Sequence, residues 1–179
     1  MKNGFTLLEL LITVTVLGIL MAFAVPNFGL MSAKVKLKNL NEEMAGMVMM
    51  SRSEAVTRNM PVYLHFLGLE KNVSNKNGNF CLIVSLSATV ANCNDGTGKL
   101  YITSGEPFKG LEVTRTNEKS VIKFKRVNGR PEGIASGSAE YEKILDFGGP
   151  QNKIDFKVNG AGTVKVCDPS GTSSQYKSC

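Results

Sequence analysis

The sequence predicts an α+β protein. One long N-terminal α-helix, half membrane-spanning and half amphipathic, packs on an antiparallel β-sheet domain. Three observations carry this reading. From Phe5 to Val25 the only charged residue is Glu9. Beyond that run, apolar residues recur at intervals of three and four as far as Ala55, the spacing of one helix face. From Val62 the period shifts toward two, with Gly, Asn and Pro between short apolar segments, which is the pattern of strands and turns.

The apolar run comes first. At about 1.5 Å per residue, Phe5–Val25 makes a helix roughly 30 Å long, the thickness of a bilayer core. Lys2 precedes it; a cation there keeps the N-terminus on the cytoplasmic side and sends the remainder across. Three processing schemes compete. A secretory signal peptide is cut beyond the run, and Ala22-Phe23-Ala24 has the small-x-small pattern for that cut. A plain anchor is not cut. A leader of residues 1–4 is cut on the near side, after Gly4, and leaves the helix on the mature chain. Glu9 separates the three. A carboxylate in hydrocarbon costs several kcal/mol and marks function. A disposable signal has no use for it. An assembly helix does, because the new α-amino group of Phe5 on one chain can pair with Glu9 of its neighbour in a staggered bundle.

The helical pattern continues past Val25. Phe28, Met31, Val35, Leu40, Met44, Met47, Val48 and Ala55 form one apolar stripe, and Lys34, Lys36, Lys38, Glu42 and Glu43 occupy much of the remaining surface. The methionines Met44, Met47, Met49 and Met50 are expected to pack in the core. Asn59 and Pro61 supply a stop. A helix from Phe5 to about Arg58 is roughly 80 Å long. Pro26 lacks a backbone donor and is expected to kink it. The chain thus divides into a leader (1–4), a membrane half (5–26), an amphipathic half (27–60) and a β-rich globular part (61–179).

In the globular part, strands are expected at Val62–Phe66, Phe80–Leu86, Leu100–Ile102, Leu111–Thr114, Val121–Phe124, Ile154–Val158 and Thr163–Cys167. Asn75 to Gly78, Gly148-Gly149-Pro150 and Gly160-Ala161-Gly162 read as turns. None of the glycine runs has a nucleotide-binding spacing, so no cofactor is expected.

Four cysteines, Cys81, Cys93, Cys167 and Cys179, fall into two pairs with the same separation. None forms a metal or redox C-x-x-C motif. In an oxidising compartment two local disulfides, Cys81–Cys93 and Cys167–Cys179, are the natural pairing. Spacing alone leaves the other two pairings and four free thiols open. The lone His65 lies in an alternating strand, where a structural histidine is the expectation, and no cluster of metal ligands surrounds it. Glu140 and Glu142 are two apart with no acid–base partner. No catalytic or metal site is predicted, and the chain does not read as an enzyme.

The N-terminal residues resemble a known signal. Gly4-Phe5-Thr6-Leu7-Leu8-Glu9, followed by the apolar run, is similar to the class III signal of type IV pilins and type II secretion pseudopilins. The resemblance implies cleavage by a prepilin peptidase between Gly4 and Phe5, N-methylation of Phe5, and use of Glu9 in assembly. Pro26 falls where family members often carry a helix-kinking proline. Met50-Ser51-Arg52-Ser53-Glu54-Ala55-Val56-Thr57-Arg58 through Val62 resembles the A-R-S-E-A-x-x-R-x-x-x-V segment of the GspH/FimT group of minor pilins and pseudopilins, with Ser51 replacing the first alanine. Glu54 and Arg58 are four apart and can pair on the helix surface. The group implies a pilin fold, a bacterial inner-membrane protein with its N-terminus cytoplasmic and its globular part periplasmic, and no catalysis. Its partners would be prepilin peptidase, membrane lipid, other pilins or pseudopilins, and an inner-membrane assembly platform.

Net charge is +6, which favours anionic partners mildly but equally describes a solvated basic surface. Some members of the group take part in DNA uptake and carry an Arg-rich motif near the C-terminus. Here Val166–Cys179 holds only Lys177 as a cation, and Gly129-Arg130-Pro131-Glu132 has Glu at the place of a second Arg. The densest basic stretch is Lys119, Lys123, Lys125, Arg126 and Arg130. If Lys123 and Lys125 share one face of a strand, they are the candidates for contact with DNA phosphates, together with Arg126 and Arg130. The departure from the family motif puts DNA binding in doubt.

Overall fold

The computed structural model describes residues 6–134, 140–149, 152–173 and 175–179, without the side chains of 23–30, 149 and 152. The chain divides into two compact units, Met1–Val35 and Lys36–Cys179. The leader, with Gly4 and Phe5, lies outside the described residues.

Helix α1 spans Leu7–Thr57, 51 residues. It continues through Pro26, so the proline does not end it; the side chain of Pro26 is outside the described set, and the expected kink with it. In the first unit the apolar run is exposed on every side, from Leu7 at 83% to Val16 at 50%. Thr13 and Thr15 of the run hide their polarity within the helix: Thr13 Oγ1 donates to the Leu10 carbonyl at 2.8 Å and Thr15 Oγ1 to that of Ile12 at 2.9 Å. Such internal bonds are what an apolar solvent demands of a hydroxyl. Described side chains of the run stop at Ala22, and among the described residues no helix is long and apolar enough to cross a membrane.

The far end of α1 is closed by its own backbone. Asn59 takes φ 51°, its N–H donates to the Val56 carbonyl at 3.2 Å, and the Met60 N–H donates to that of Ala55 at 3.2 Å. This is a Schellman cap with Asn in the left-handed position, followed by a proline.

Among the described residues the second unit holds nine strands and a short 3-10 turn, Glu106–Phe108. The strands are β1 (Val62–Leu67), β2 (Ser74–Asn75), β3 (Cys81–Ser85), β4 (Lys99–Ser104), β5 (Val113–Arg115), β6 (Val121–Phe124), β7 (Glu142–Gly149), β8 (Asn152–Val158) and β9 (Val164–Cys167). They form two sheets, ordered β4-β3-β1-β6 and β2-β5-β7-β8-β9. Every strand pairing in them is antiparallel. One apolar cluster joins Leu37, Leu40, Met44, Met47, Val48 and Ala55 of α1 to residues of both sheets, Leu64, Ile122 and Phe124 from one and Phe147, Phe156 and Val158 from the other.

Most expected elements are present, with three corrections. Strand β7 was not expected; it contains Gly148 and Gly149, read from the sequence as a turn. It is a charged strand, and a bulge between Lys143 and Leu145 puts Ile144 and Leu145 side by side, both buried, which erases the alternation that marks a strand. Strand β2 lies partly within the Asn75–Gly78 turn. Of the four clustered methionines, Met44 and Met47 are buried, but Met49 is 66% exposed. Met31 and Val35 of the expected stripe are also exposed. Both expected disulfides form, Cys81–Cys93 and Cys167–Cys179, with S–S 2.13 and 2.17 Å. Each closes a short loop, which stabilises by about 2–3 kcal/mol.

Phe124 is fully buried and Met49 is not. Phe124→Ala is expected to cost roughly 3–5 kcal/mol and Met49→Ala no more than about 0.5 kcal/mol, read by denaturant unfolding of the detergent-solubilised full chain. A large loss at Met49 would mean that the outer face of α1 is covered in the isolated protein.

Candidate functional site

The first helical turn carries the predicted assembly residue. Thr6 precedes Leu7 and acts as N-cap: its Oγ1 accepts the Glu9 N–H at 3.3 Å. Thr6-Leu7-Leu8-Glu9 has the S/T-x-x-E spacing of a capping box, a signal the assembly reading of Glu9 passes over. Glu9 is exposed, and an acid in the first turn also suits the helix dipole. Among the described residues no cation pairs with it.

At the other end of α1, the family-like segment builds a junction. Arg52 donates from Nη1 to the Gly162 carbonyl at 3.2 Å. A Cβ on Gly162 would lie 2.7 Å from Arg52 Cδ, and one on Gly129 would lie 2.8 Å from the Arg52 carbonyl oxygen. Gly162 sits in the β8–β9 turn at φ +76° and Gly129 in the hairpin after β6 at φ +61°, so each also needs glycine for its backbone. One arginine therefore seats a hairpin from each sheet. Ser51 is fully buried, and its hydroxyl donates to the Met47 carbonyl at 2.7 Å, so serine replaces alanine without an orphaned polar atom. Ala55 is core, and Arg58 pairs with Glu54, as their spacing implied.

The basic stretch is less available than its sequence suggests. Lys123 pairs with Glu132 at 2.8 Å; the hydrogen bond and charge of Glu132 raise the lysine pKa, and those of Lys123 lower that of Glu132. Lys119 Nζ donates to the Gly133 carbonyl at 2.9 Å. β6 ends at Phe124, so Lys125 lies just beyond the strand, where its N–H donates to the Arg130 carbonyl at 2.9 Å. Lys125, Arg126 and Arg130 are exposed around Val127, itself 80% exposed.

Other polar groups serve the fold. His65 is buried with Nε2 3.0 Å from the Ser87 carbonyl, and burial lowers its pKa. Asn117 Nδ2 donates to Glu142, while Glu140 is exposed outside the strand. The sequence reading missed a charged cluster on β7 and β8: Asp155, 4% exposed, faces Lys143 at 3.1 Å and Lys157 at 3.4 Å. Burial opposes the charge on Lys143, but Asp155 and Asp146 outweigh it and raise the pKa. It also missed Asp168, inside the Cys167–Cys179 loop. Asp168 accepts the Ser170 hydroxyl and the Ser173 N–H at 2.6 Å each, and the Ser170 N–H at 2.8 Å. The Ser170 hydroxyl and these N–H groups hold its carboxyl at about 2. Among the described residues no group of side chains could hold a metal ion.

A long helix whose second half is buried against antiparallel sheets, opened by Thr6-x-x-Glu9 at the start of an apolar run, defines a type IV pilin-like protein. The prokaryotic N-terminal methylation motif matches residues 1–25, and the family described as type II transport protein GspH matches residues 41–177. The chain belongs to the GspH family. Its fold is similar to crystal structures of the type IV minor pilin FimU of Pseudomonas aeruginosa strain PAO1. One crystal form gives TM-score 0.53 at 16% identity, covering 80% of this chain and 96% of that one. A second gives TM-score 0.50 at 16% identity, covering 78% and 98%. Comparison with curated proteins gives no match.

Two outcomes follow from this geometry. Because the folded pKa of Asp168 lies near 2, below the ordinary 3.8, its contribution to stability is complete above about pH 4 and is lost as pH falls through about 2. Asp168→Asn should lower the unfolding midpoint at neutral pH and flatten its slope across that acid window; an unchanged slope would remove Asp168 as its source. Arg52→Ala should cost roughly 1–2 kcal/mol through the lost hydrogen bond and stem packing, with Arg52→Lys in between. An unchanged midpoint for Arg52→Ala would show that the two hairpins hold without it.

Proposed function

We propose that this chain is a minor, low-abundance type IV pilin that helps to initiate or cap the fibre. Prepilin peptidase removes residues 1–4 after Gly4, Phe5 becomes the N-methylated first residue, and the apolar run holds the protein in the bacterial inner membrane with the second unit in the periplasm. Other pilins and the assembly platform then draw it into the fibre. The observation that carries the reading is Glu9: a carboxylate one turn into an otherwise apolar helix is costly in lipid unless a partner's cation meets it. The α-amino group of Phe5 on a neighbouring subunit is that cation. The role is structural, with no catalysis.

The family description favours a second reading, a minor pseudopilin of a type II secretion system. The processing and helix chemistry are the same, and the fibre differs. A deletion strain separates them: loss of surface pili with normal exoprotein release supports the first, and the reverse supports the second. DNA capture is not favoured, because Lys123 and Lys119 are already bonded within the hairpin.

Intact mass and N-terminal peptide mapping of the membrane-extracted protein test processing. A chain beginning at methylated Phe5 is expected; one beginning at Val25 would make it a secreted soluble protein and overturn the assembly reading. Glu9→Ala should be cleaved normally yet fail to enter fibres. Wild-type incorporation would show that the proposed charge pairing is wrong.

A further inference from the structure

Strand β9 lies at one edge of its sheet, and only part of its outer side is used. On the inner side it pairs with β8 from Asp155↔Cys167 to Val158↔Val164. The Asn159 N–H donates to the Thr163 carbonyl at 3.1 Å, which sets the phase of the ladder. In an antiparallel pair, opposed residues alternate between exchanging main-chain bonds and turning them away. Lys165 and Cys167 therefore bond to β8, while Val164 and Val166 turn their N–H and C=O outward. Asp168 continues that outward phase, and there the position is filled: its N–H donates to the Lys177 carbonyl at 2.9 Å and its carbonyl accepts the Cys179 N–H at 3.0 Å. The tail thus lies parallel to β9 at Asp168↔Ser178. It turns away before reaching Val166, where the Tyr176 N–H donates to Ser173 Oγ at 3.3 Å. Among the described residues no main-chain group meets Val164 or Val166 on that side.

A groove of about 410 Å³ adjoins this open stretch, lined by Val166, Ala45, Tyr176, Gln175, Asn41 and the Lys38–Glu42 pair. Asn41 is 4% exposed. Its Nδ2 donates to the Leu37 carbonyl at 3.0 Å and to Tyr176 Oη at 3.3 Å. Its Oδ1 has no partner among the described residues, and a buried acceptor left so is costly.

We propose that the outer edge of β9 accepts an extended segment from a different subunit of the same fibre, a proposal that rests on the assembly role above. Main-chain donors and acceptors repeated two residues apart along a strand are matched in phase by an extended polypeptide, and the tail already pairs with this edge in that way at Asp168. A strand placed next to Val164 and Val166 directs alternate side chains toward the helix. There a Val, Ile or Leu fills the groove over Ala45 and Val166, and a neighbouring Ser, Thr or Asn donates to Asn41 Oδ1. A subunit present in few copies meets other subunits rather than itself.

Amide exchange, resolved to single residues by mass spectrometry, tests this on the full chain in detergent and in fibre preparations containing it. Val164 and Val166 should exchange quickly in the isolated chain and about tenfold or more slowly in the fibre, while Lys165 and Cys167 stay slow in both. Equal exchange in the two preparations overturns the proposal. Protection that grows with concentration of the isolated chain means pairing with a second copy and also overturns it. Val166→Pro removes the outward N–H without taking a bond from β8, and Val166→Ala controls for the lost side chain. The proline variant should keep both disulfides and its unfolding midpoint but enter fibres about tenfold less than Val166→Ala. If Val166→Pro enters normally while Glu9→Ala is excluded, the edge proposal alone fails. If both enter normally, the Glu9 charge pairing fails with it; if the unaltered chain itself is absent from fibres, the assembly reading fails. Should the proline variant not fold, the exchange measurement on the unaltered chain decides.

Discussion

The buried face of α1 is the constraint on which the second unit depends. Leu40, Met44, Met47 and Ala55 lie at helical spacing, each at 0 or 1% exposure, in one cluster with residues from both sheets. The two sheets share no strand, so side-chain packing between them and the helix must unite them. Intrinsic propensity does not hold a 51-residue helix of this composition in water; burial of an apolar stripe does. The same face fixes where the chain leaves the helix. Ala55 and Val56 supply the accepting carbonyls of the Schellman cap, and Val62, six residues after Val56, is already core.

Arg52 adds a directional element to that packing. Apolar contact tolerates small slips, whereas a guanidinium bonded to the Gly162 carbonyl, with Gly129 against the main chain of the same residue, constrains where the two hairpins sit. The glycines are needed at both points for close approach as well as for backbone angle. This gives a physical meaning to the arginine of the A-R-S-E-A-like segment. It acts in the fold, through hairpins more than a hundred residues away in the case of Gly162, and its sequence neighbours Glu54 and Arg58 do no more than pair on the helix surface.

What the sequence made legible followed from periodicity and local chemistry. The helix, seven strands and both disulfides were readable because Leu40–Met44–Met47, Val62–Leu64–Phe66 and the paired cysteines act over short distances. Strand β7 was not readable, because its bulge breaks the alternation and its Lys143, Asp146 and Glu142 look like a solvated loop until β8 supplies Asp155 opposite them. The outward exposure of Met49 was hidden for a related reason. Four methionines within seven positions cannot all face one side of a helix, and composition does not say which ones turn away. The partners of the basic stretch were not readable, since Glu132 and the Gly133 carbonyl meet Lys123 and Lys119 only once the hairpin folds back. The Arg52 seat and the Asp168 loop were invisible, because their partners, the Ser170 hydroxyl apart, are main-chain groups, which carry no residue-type signal.

Two sheet edges show how differently such main-chain groups can be managed. On the outer side of β6, the Lys123 carbonyl accepts the Glu132 N–H at 2.7 Å, and the Lys125 N–H donates to the Arg130 carbonyl at 2.9 Å. Pro131, bridged to Phe124, has no N–H to offer further, so a returning segment with a proline at its centre covers the Phe124 end of that edge. On β9 the tail reaches Asp168 and is held there by the Cys167–Cys179 bond, yet Val164 and Val166 stay outward-facing beside an apolar groove. An open edge is a hazard in a soluble monomer, which is why proteins blunt or cover them. On the assembly role proposed above, the same feature has a use: a covered end of β6 and an open stretch of β9 leave main-chain groups for a partner strand on β9, beside the point where the disulfide-linked tail already pairs with Asp168.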